Sequence, residues 1–395
     1  MAYPSDVQKG LCMHKRILVA YGTRPEAVKV APLINLLAAS ESLRPVPVIT
    51  GQHQEMLDQV NAIFGITPEH NLEVFEAGQP LNKLAAKVLK GIDRLLLETE
   101  PDAVLVQGDT TTVAMAGLAA FHREIPVVHL EAGLRSGNLH EPFPEEANRR
   151  LVGQVSTLHL APTSAARDNL LRENFPAHDV VVTGNTVIDA MLQVSQLPQK
   201  FSDSRVAEAV AAGRRIILLT AHRRENLGEP MQAIAQAVAE LARRFPDALV
   251  VFPAHKNPLV RKAFKPVLKD LANVVLIEPL DYVEFIHLQK VSHLVLTDSG
   301  GVQEEAPSLG KPVLVLRNNT ERPEAVTAGT VRLVGTDADR IVEEASRLMT
   351  DAAAYEAMAQ VANPYGDGHA AQRSVAAIAE LLGVGQRMPD FGAAA

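Results

Sequence analysis

Short apolar runs rich in β-branched residues recur at 17–20, 46–49, 103–106, 127–130 and 180–182, separated by longer stretches of helical spacing. A second series of the same kind occupies 216–219, 249–252, 274–277, 294–296 and 313–316. Continuous apolar strands that each lead into a helix predict parallel sheets covered on both faces. The helical pattern is clearest after Asn226. There Leu227, Met231, Ile234, Val238, Leu241 and Phe245 fall at steps of three or four and form one core-facing stripe. A polar stretch around 196–205 divides the two series, so the chain reads as α/β, with two doubly wound domains facing a cleft. Ligands of such sheets bind beyond the carboxyl ends of the strands, which directs the functional reading to the strand-to-helix turns.

Composition narrows the class. At roughly 150 residues per domain, a chain of 395 residues fits two domains. With 47% hydrophobic and 21% charged residues it builds a packed core, and disorder or a collagen-like structure is excluded. The formal charge of −8 argues against nucleic acid as a partner, because that affinity rests on neutralising phosphates. A small phosphorylated ligand, which needs only a local cationic pocket, stays open. The single cysteine, Cys12, excludes an internal disulfide framework and any multi-cysteine metal site, and fits a reducing cytosol. No apolar run approaches the roughly 18 residues of a membrane span, and residues 1–15 lack the apolar segment of a signal peptide. The expectation is a soluble cytoplasmic protein without membrane contact, with a mobile leader over 1–15 and the first strand starting near Arg16.

Six segments carry candidate chemistry. After the first strand come Gly22-Thr23-Arg24-Pro25-Glu26, with Lys29 about one helical turn on. Gly22 suits a strained turn, Pro25 a helix start, and Arg24 and Lys29 are placed to meet a phosphate. Gly108-Asp109-Thr110 follows the 103–106 strand; Asp109 reads either as a helix N-cap or as a functional carboxylate. The neighbouring strand ends on Glu131, and Pro144-Glu145-Glu146 looks like a helix opening whose acids complement the helix dipole. Asp109, Glu131 and Glu145 together form a set able to divide general acid and base roles; a divalent metal is the competing reading.

In the second half, His222 ends a strand beside Arg223 and Arg224. Asp298-Ser299-Gly300-Gly301, after a strand and before a helix, offers backbone N–H groups and a helix dipole to a phosphate, and Glu305 suits a ribose. Gly366-Asp367-Gly368-His369-Ala370-Ala371 matches a loose dinucleotide pattern but follows no strand and opens no βαβ unit, so no nicotinamide site is assigned.

Taken in order, these motifs closely resemble the non-hydrolysing UDP-N-acetylglucosamine 2-epimerases of bacteria and archaea. The matching stretches are Gly22 to Ala27, Gly108 to Thr112, Glu131 to Arg135, Pro144 to Arg149, Gly184-Asn185-Thr186, His222 to Asn226, Asp298 to Glu305 and Thr320 to Glu324. The resemblance implies a glycosyltransferase-B-like fold of two Rossmann-like domains. Their bounds are 16–185 for the carboxylate-bearing domain and 186–364 for the UDP-binding one. A helix over 365–383 then crosses back to the first domain, and 384–395 form a tail. It further implies that Ser299, Gly300 and Gly301 hold the diphosphate and Glu305 the ribose. Leu280 and Phe285 then lie at the uracil, and Arg24, Lys29, His222 and Arg322 complete the phosphate and sugar contacts. A homodimer acting on UDP-N-acetylglucosamine and UDP-N-acetylmannosamine, without cofactor or metal, is the expected assembly. Its product would be activated N-acetylmannosamine for cell-surface polysaccharide.

The chemistry expected of such a protein follows from the substrate. The C2 hydrogen of the sugar is not next to a carbonyl, so simple deprotonation is unfavourable. Loss of UDP from C1 as the C2 proton departs gives a glycal, which accepts a proton on the other face before UDP adds back. Asp109, Glu131 and Glu145 are the acid/base candidates, and His222 stabilises departing UDP. Substrate is expected to favour closure of the two domains. Other readings of the same residues are a glycosyltransferase of this fold, a hydrolysing 2-epimerase, and a nucleotide-sugar sensor without turnover. Some relatives are activated by substrate in a second pocket, and Gln52-His53 and His255 resemble parts of it. Glu55, Gly78 and His140-Glu141 depart from the regulated pattern.

Overall fold

The computed structural model describes residues 14–51, 54–76 and 78–393; most of the expected leader, with Cys12, lies outside them. The chain forms two compact units, the first running to Thr183 and resuming at Ala371, the second comprising Gly184–Ala370.

The first unit is built on seven parallel strands, β1 (Lys15–Tyr21), β2 (Leu43–Ile49), β3 (His70–Asn71), β4 (Ala103–Gln107), β5 (Val127–Leu130), β6 (Leu158–Ala161) and β7 (Val180–Val182). Their order is β3-β2-β1-β4-β5-β6-β7. The second unit has six, β8 (Ile216–Thr220), β9 (Leu249–Pro253), β10 (Val274–Ile277), β11 (Ser292–Thr297), β12 (Val313–Val315) and β13 (Val331–Leu333), ordered β10-β9-β8-β11-β12-β13. Both sheets are doubly wound. Strand order reverses beside the first strand of each unit, between β1 and β4 and between β8 and β11. These are the switch points at which adjacent crossovers leave in opposite directions and open a crevice at the strand ends.

Ten strands coincide with the apolar runs, and three do not. The two residues of β3 are His70 and Asn71, which carry no apolar signal. In β6, His159 interrupts Leu158 and Leu160, and in the edge strand β13 Arg332 reaches Glu344. The stripe after Asn226 does face the core: Met231, Ile234, Val238 and Leu241, in the helix Glu229–Arg244, pack on Ile217, Leu219, Val250 and Phe252. Leu227 precedes that helix and Phe245 ends it, so the stripe overruns the helix at both ends. No strand precedes Gly366, and the segment there leads only into the helix Ala370–Leu381.

The Phe252 ring is fully buried and meets Phe264 at 4.6 Å between centroids. Truncating such a side chain removes its transfer free energy and leaves a cavity. Phe252→Ala is therefore expected to lower the unfolding free energy of the second unit by about 3–5 kcal/mol in denaturant titrations, and a loss below 1 kcal/mol would show that the pair is not a packed core.

Candidate functional site

At the first switch point the chain leaves β1 through Gly22 and Thr23 into the helix Arg24–Ala38. The Glu26 carboxylate turns back to accept the N–H groups of Gly22 (3.0 Å) and Thr23 (2.6 Å), and takes the Thr110 hydroxyl at 2.6 Å. One buried side chain thus ties the turn after β1 to the turn after β4. Burial raises its pKa against the opposing pull of those donors. Gly22 is needed for space rather than for a strained φ: a Cβ there would lie 2.2 Å from Thr50 Oγ1.

The turns after β4 and β5 start side by side, because Gln107 pairs with Leu130. Asp109 does not cap the following helix; Thr110 does, accepting from the Val113 N–H. The Asp109 carboxylate instead forms an ion pair with Arg149, whose other Nη donates to the Glu131 carbonyl. That guanidinium is 6% exposed and also stands 4.0 Å from the Glu131 carboxylate. Glu131 accepts from Lys29 on one oxygen and from Gln107 Nε2 at 2.6 Å on the other. Lys29, expected at a phosphate, is here the partner of a carboxylate. Two acids and two cations make a charge-balanced cluster.

Glu131 also has φ +64°, the left-handed region that costs an ordinary residue about 1–3 kcal/mol and persists only where neighbours over-determine it. Its neighbours do so. The Ala132 N–H is fixed on Leu160, and a Cβ at Gly133 would sit 2.2 Å from the Ala166 carbonyl. Glu145 is the first residue of the helix Glu145–Val155, as a helix-opening acid should be. No hydrogen bond or ion pair among the described residues links its carboxylate to Asp109 or Glu131. The neighbouring Glu146 is the buried one, held by the Ser136 N–H and Arg150. Motif reading singled out neither Gln107 nor the role of Arg149. Their only signal was position, the last residue of an apolar strand and one turn into a helix.

In the second unit the organiser is Asp298, fully buried at the end of β11. Its carboxylate accepts the N–H groups of His222 and Arg223 at 2.9 Å each and Asn226 Nδ2 at 3.1 Å. His222 Nδ1 stands 3.3 Å from Asp298 Oδ1, and the ring stacks on His255 with centroids 5.7 Å apart. Burial lowers the His222 pKa despite the Asp298 charge, with Arg223 and His255 adding to the fall. A phosphate arriving beside it would favour the imidazolium again.

Ser299 precedes the short helix Gly300–Glu305, but its N–H is taken by Thr297 Oγ1 at 2.9 Å. The open donors are those of the helix's first residues, which have no preceding carbonyl within the helix. Gly300 lies between two guanidiniums: an added Cβ would meet Arg322 Cζ at 3.3 Å and Arg223 Nη2 at 3.4 Å, whereas at Gly301 it would meet open space. Arg322 is oriented by the buried Glu304 at 2.7 Å. Glu305 is buried and accepts from Gln289 Nε2 at 3.1 Å. Leu280 lines a groove of about 650 Å³ with Pro279, Asp281 and Lys265, beyond the end of β10. Phe285 is half-buried on the helix Tyr282–Val291. Arg24 is half-buried at the start of its helix. Gln52 and His53 lie outside the described residues. Among the described residues no group of three or more His, Cys, Asp or Glu side chains is arranged to hold a metal.

Two doubly wound parallel units, one ending its central strands on carboxylates and the other on a cationic, glycine-lined turn, define a glycosyltransferase-B-like α/β protein. The chain belongs to the UDP-N-acetylglucosamine 2-epimerase family, whose profile matches residues 35–379. It is 51% identical over 371 residues to a Ralstonia solanacearum protein named a probable UDP-N-acetylglucosamine 2-epimerase, covering 92% of this chain and 98% of that one. A crystal structure from Listeria monocytogenes superposes with a TM-score of 0.91 at 44% identity, over 96% of this chain and 99% of the other. The Neisseria meningitidis UDP-GlcNAc 2-epimerase, solved bound to UDP-GlcNAc, gives a TM-score of 0.81 at 46% identity, over 92% and 100%.

Behind the first site lie two buried histidines on paired positions of β5 and β6. Burial lowers the His129 pKa to about 3 and the His159 pKa to about 4, from an ordinary 6.5. A depressed folded-state value means that stability is fully present above pH 6.5 and drains away as pH falls toward 4 and 3, because only the unfolded chain takes up the protons. The unfolding free energy of the first unit is expected to fall over that window, with a shallower slope in His159→Phe. Equal slopes for parent and variant would contradict it.

Proposed function

We propose that the chain interconverts UDP-N-acetylglucosamine and UDP-N-acetylmannosamine by a non-hydrolysing 2-epimerisation. The observation that carries this reading is the Asp109–Arg149–Glu131 cluster, two carboxylates on neighbouring strand ends of a chain that belongs to this family. One carboxylate takes the C2 proton while the C1–oxygen bond breaks and UDP departs with the electron pair. The resulting glycal receives a proton at C2 on the opposite face, and the β-phosphate oxygen re-forms the bond to C1. Atoms and charge balance without an oxidant, so the scheme calls for no nicotinamide.

In the second unit, the Gly300 and Gly301 N–H groups, with Ser299, Arg322 and His222, receive the diphosphate. Glu305 receives the ribose, and Leu280 and Phe285 flank the uracil. Asp109, Glu131 and Glu145 act in proton transfer, with Lys29 paired to Glu131, and Arg24 offsets charge on the leaving group. The family likeness also supports a homodimer. No helix among the described residues is long and apolar enough to cross a membrane. The reading makes the chain a cytoplasmic enzyme that supplies activated N-acetylmannosamine for cell-surface polysaccharide.

Turnover in deuterium oxide, followed by product analysis, tests the scheme. Deuterium is expected at C2 of the epimer, with total nucleotide sugar conserved. Product without C2 deuterium would rule the mechanism out, and UDP rising in step with free N-acetylmannosamine would make the enzyme a hydrolase.

Asp109→Asn and Glu131→Gln are each expected to lower turnover by about 10²–10⁴-fold while UDP affinity, measured by calorimetry, changes little. Turnover near that of the parent would remove the residue from proton transfer. Arg322→Ala should show the converse, with UDP binding weakened more than the step at C2.

A further inference from the structure

We infer that His129 is a positioning residue for the proton-transfer step, holding Asp109 in place through the carbonyl of Gly108; the inference rests on the epimerase reading above. His129 sits on β5, 1% exposed, and its Nε2 is 2.7 Å from the Gly108 carbonyl oxygen. A carbonyl only accepts, so Nε2 carries the proton and donates, and the ring is the Nε2–H tautomer. Nδ1, the remaining nitrogen, is buried and has no hydrogen-bond partner among the described residues.

Gly108 is the hinge of the turn. Its φ of +82° is the left-handed conformation that favours glycine. Its own N–H donates to the Leu130 carbonyl at 3.0 Å, so β5 grips both sides of this residue, by its main chain on the N–H and by the His129 ring on the C=O. The Gly108 carbonyl belongs to the peptide plane that Asp109 enters. Fixing that plane sets the direction from which the Asp109 side chain leaves the backbone. Beyond it, the Asp109 carbonyl accepts Asn148 Nδ2 at 3.0 Å and its carboxylate pairs with Arg149. Without the imidazole, a buried carbonyl is left unpaired beside a glycine free to rotate its peptide. The charged and titratable groups acting on the ring are Arg149, His159 and Arg135, and with burial they keep it neutral. It therefore acts as a donor of fixed geometry and transfers no proton itself.

A misplacement of about 1 Å in a reacting group costs on the order of 10²-fold in rate. The test compares His129→Leu with His129→Gln in the full-length protein. Glutamine places an amide N–H near the position of Nε2, and its oxygen replaces an acceptor that is already unpartnered. Three readouts are taken: turnover with C2 deuterium incorporation, UDP affinity, and the nitrogen-15 shifts of the His129 ring in the parent protein. His129→Leu should lose turnover and C2 exchange together, by about tenfold to hundredfold, with KM and UDP affinity within about twofold of the parent. His129→Gln should recover turnover to within about threefold. The parent ring should show the Nε2–H tautomer and no titration between about pH 5 and 8.

Parent-like turnover in His129→Leu, no recovery in His129→Gln, or an Nδ1–H tautomer would overturn the inference. A parent protein without C2 exchange would instead sink the epimerase reading, and the ring shifts, which need no turnover, keep the two failures apart. Should His129→Leu fail to fold, the comparison of His129→Gln with the parent and the tautomer decides: a folded glutamine variant with turnover reduced a hundredfold overturns the positioning role.

Discussion

From Val104 opposite Val127 to Gln107 opposite Leu130, β4 and β5 run in register, and the turns that follow them leave from one shared edge. This ladder starts the turns of Asp109 and Glu131 side by side, and two like charges so placed repel. The first unit answers with Arg149, whose guanidinium binds the carboxylate of one turn and the carbonyl of the other. At an effective dielectric constant near 20, unit charges 4 Å apart interact by about 4 kcal/mol. That scale is enough to set against the desolvation of a cation that is 6% exposed. The strained φ of Glu131, the clamp on Gly108 and the reach of Lys29 are all built around this arrangement.

The second unit uses the same device with the sign reversed. There a buried anion, Asp298, collects two backbone N–H groups and an amide, and so shapes the turn that carries His222 and Arg223. The cations are left to face Gly300, with Arg322 steadied by Glu304. A carboxylate cluster ordered by a buried cation suits proton transfer. A cationic turn ordered by a buried anion suits a diphosphate.

Much of this was legible in the residues. Ten of the thirteen strands follow apolar runs because parallel strands covered on both faces must be apolar throughout. β3, β6 and β13 escaped because none presents a continuous apolar run: β3 is the partly exposed polar pair His70 and Asn71, His159 interrupts β6, and Arg332 interrupts β13. Asp109, Glu131, His222 and Gly300 stood out as strand-end residues. Gln107, Arg149, Glu26 and Asp298 act by orienting those residues, and such roles depend on distances across strands. A motif does not encode them. Thr110 rather than Asp109 caps its helix for a related reason: with Arg149 in reach, the carboxylate gains more from a charged partner than from one backbone N–H.

In the proposed reaction the bond between C1 and the β-phosphate oxygen breaks and re-forms during every inversion. Substrate carrying oxygen-18 at that bridging position tests it most directly. While UDP is detached, rotation of the β-phosphate exchanges the labelled oxygen with its neighbours, so re-addition should leave part of the label in non-bridging positions of both epimers, visible by phosphorus NMR. Label retained wholly in the bridge after many turnovers would contradict the elimination and require inversion at C2 with the C1–oxygen bond intact.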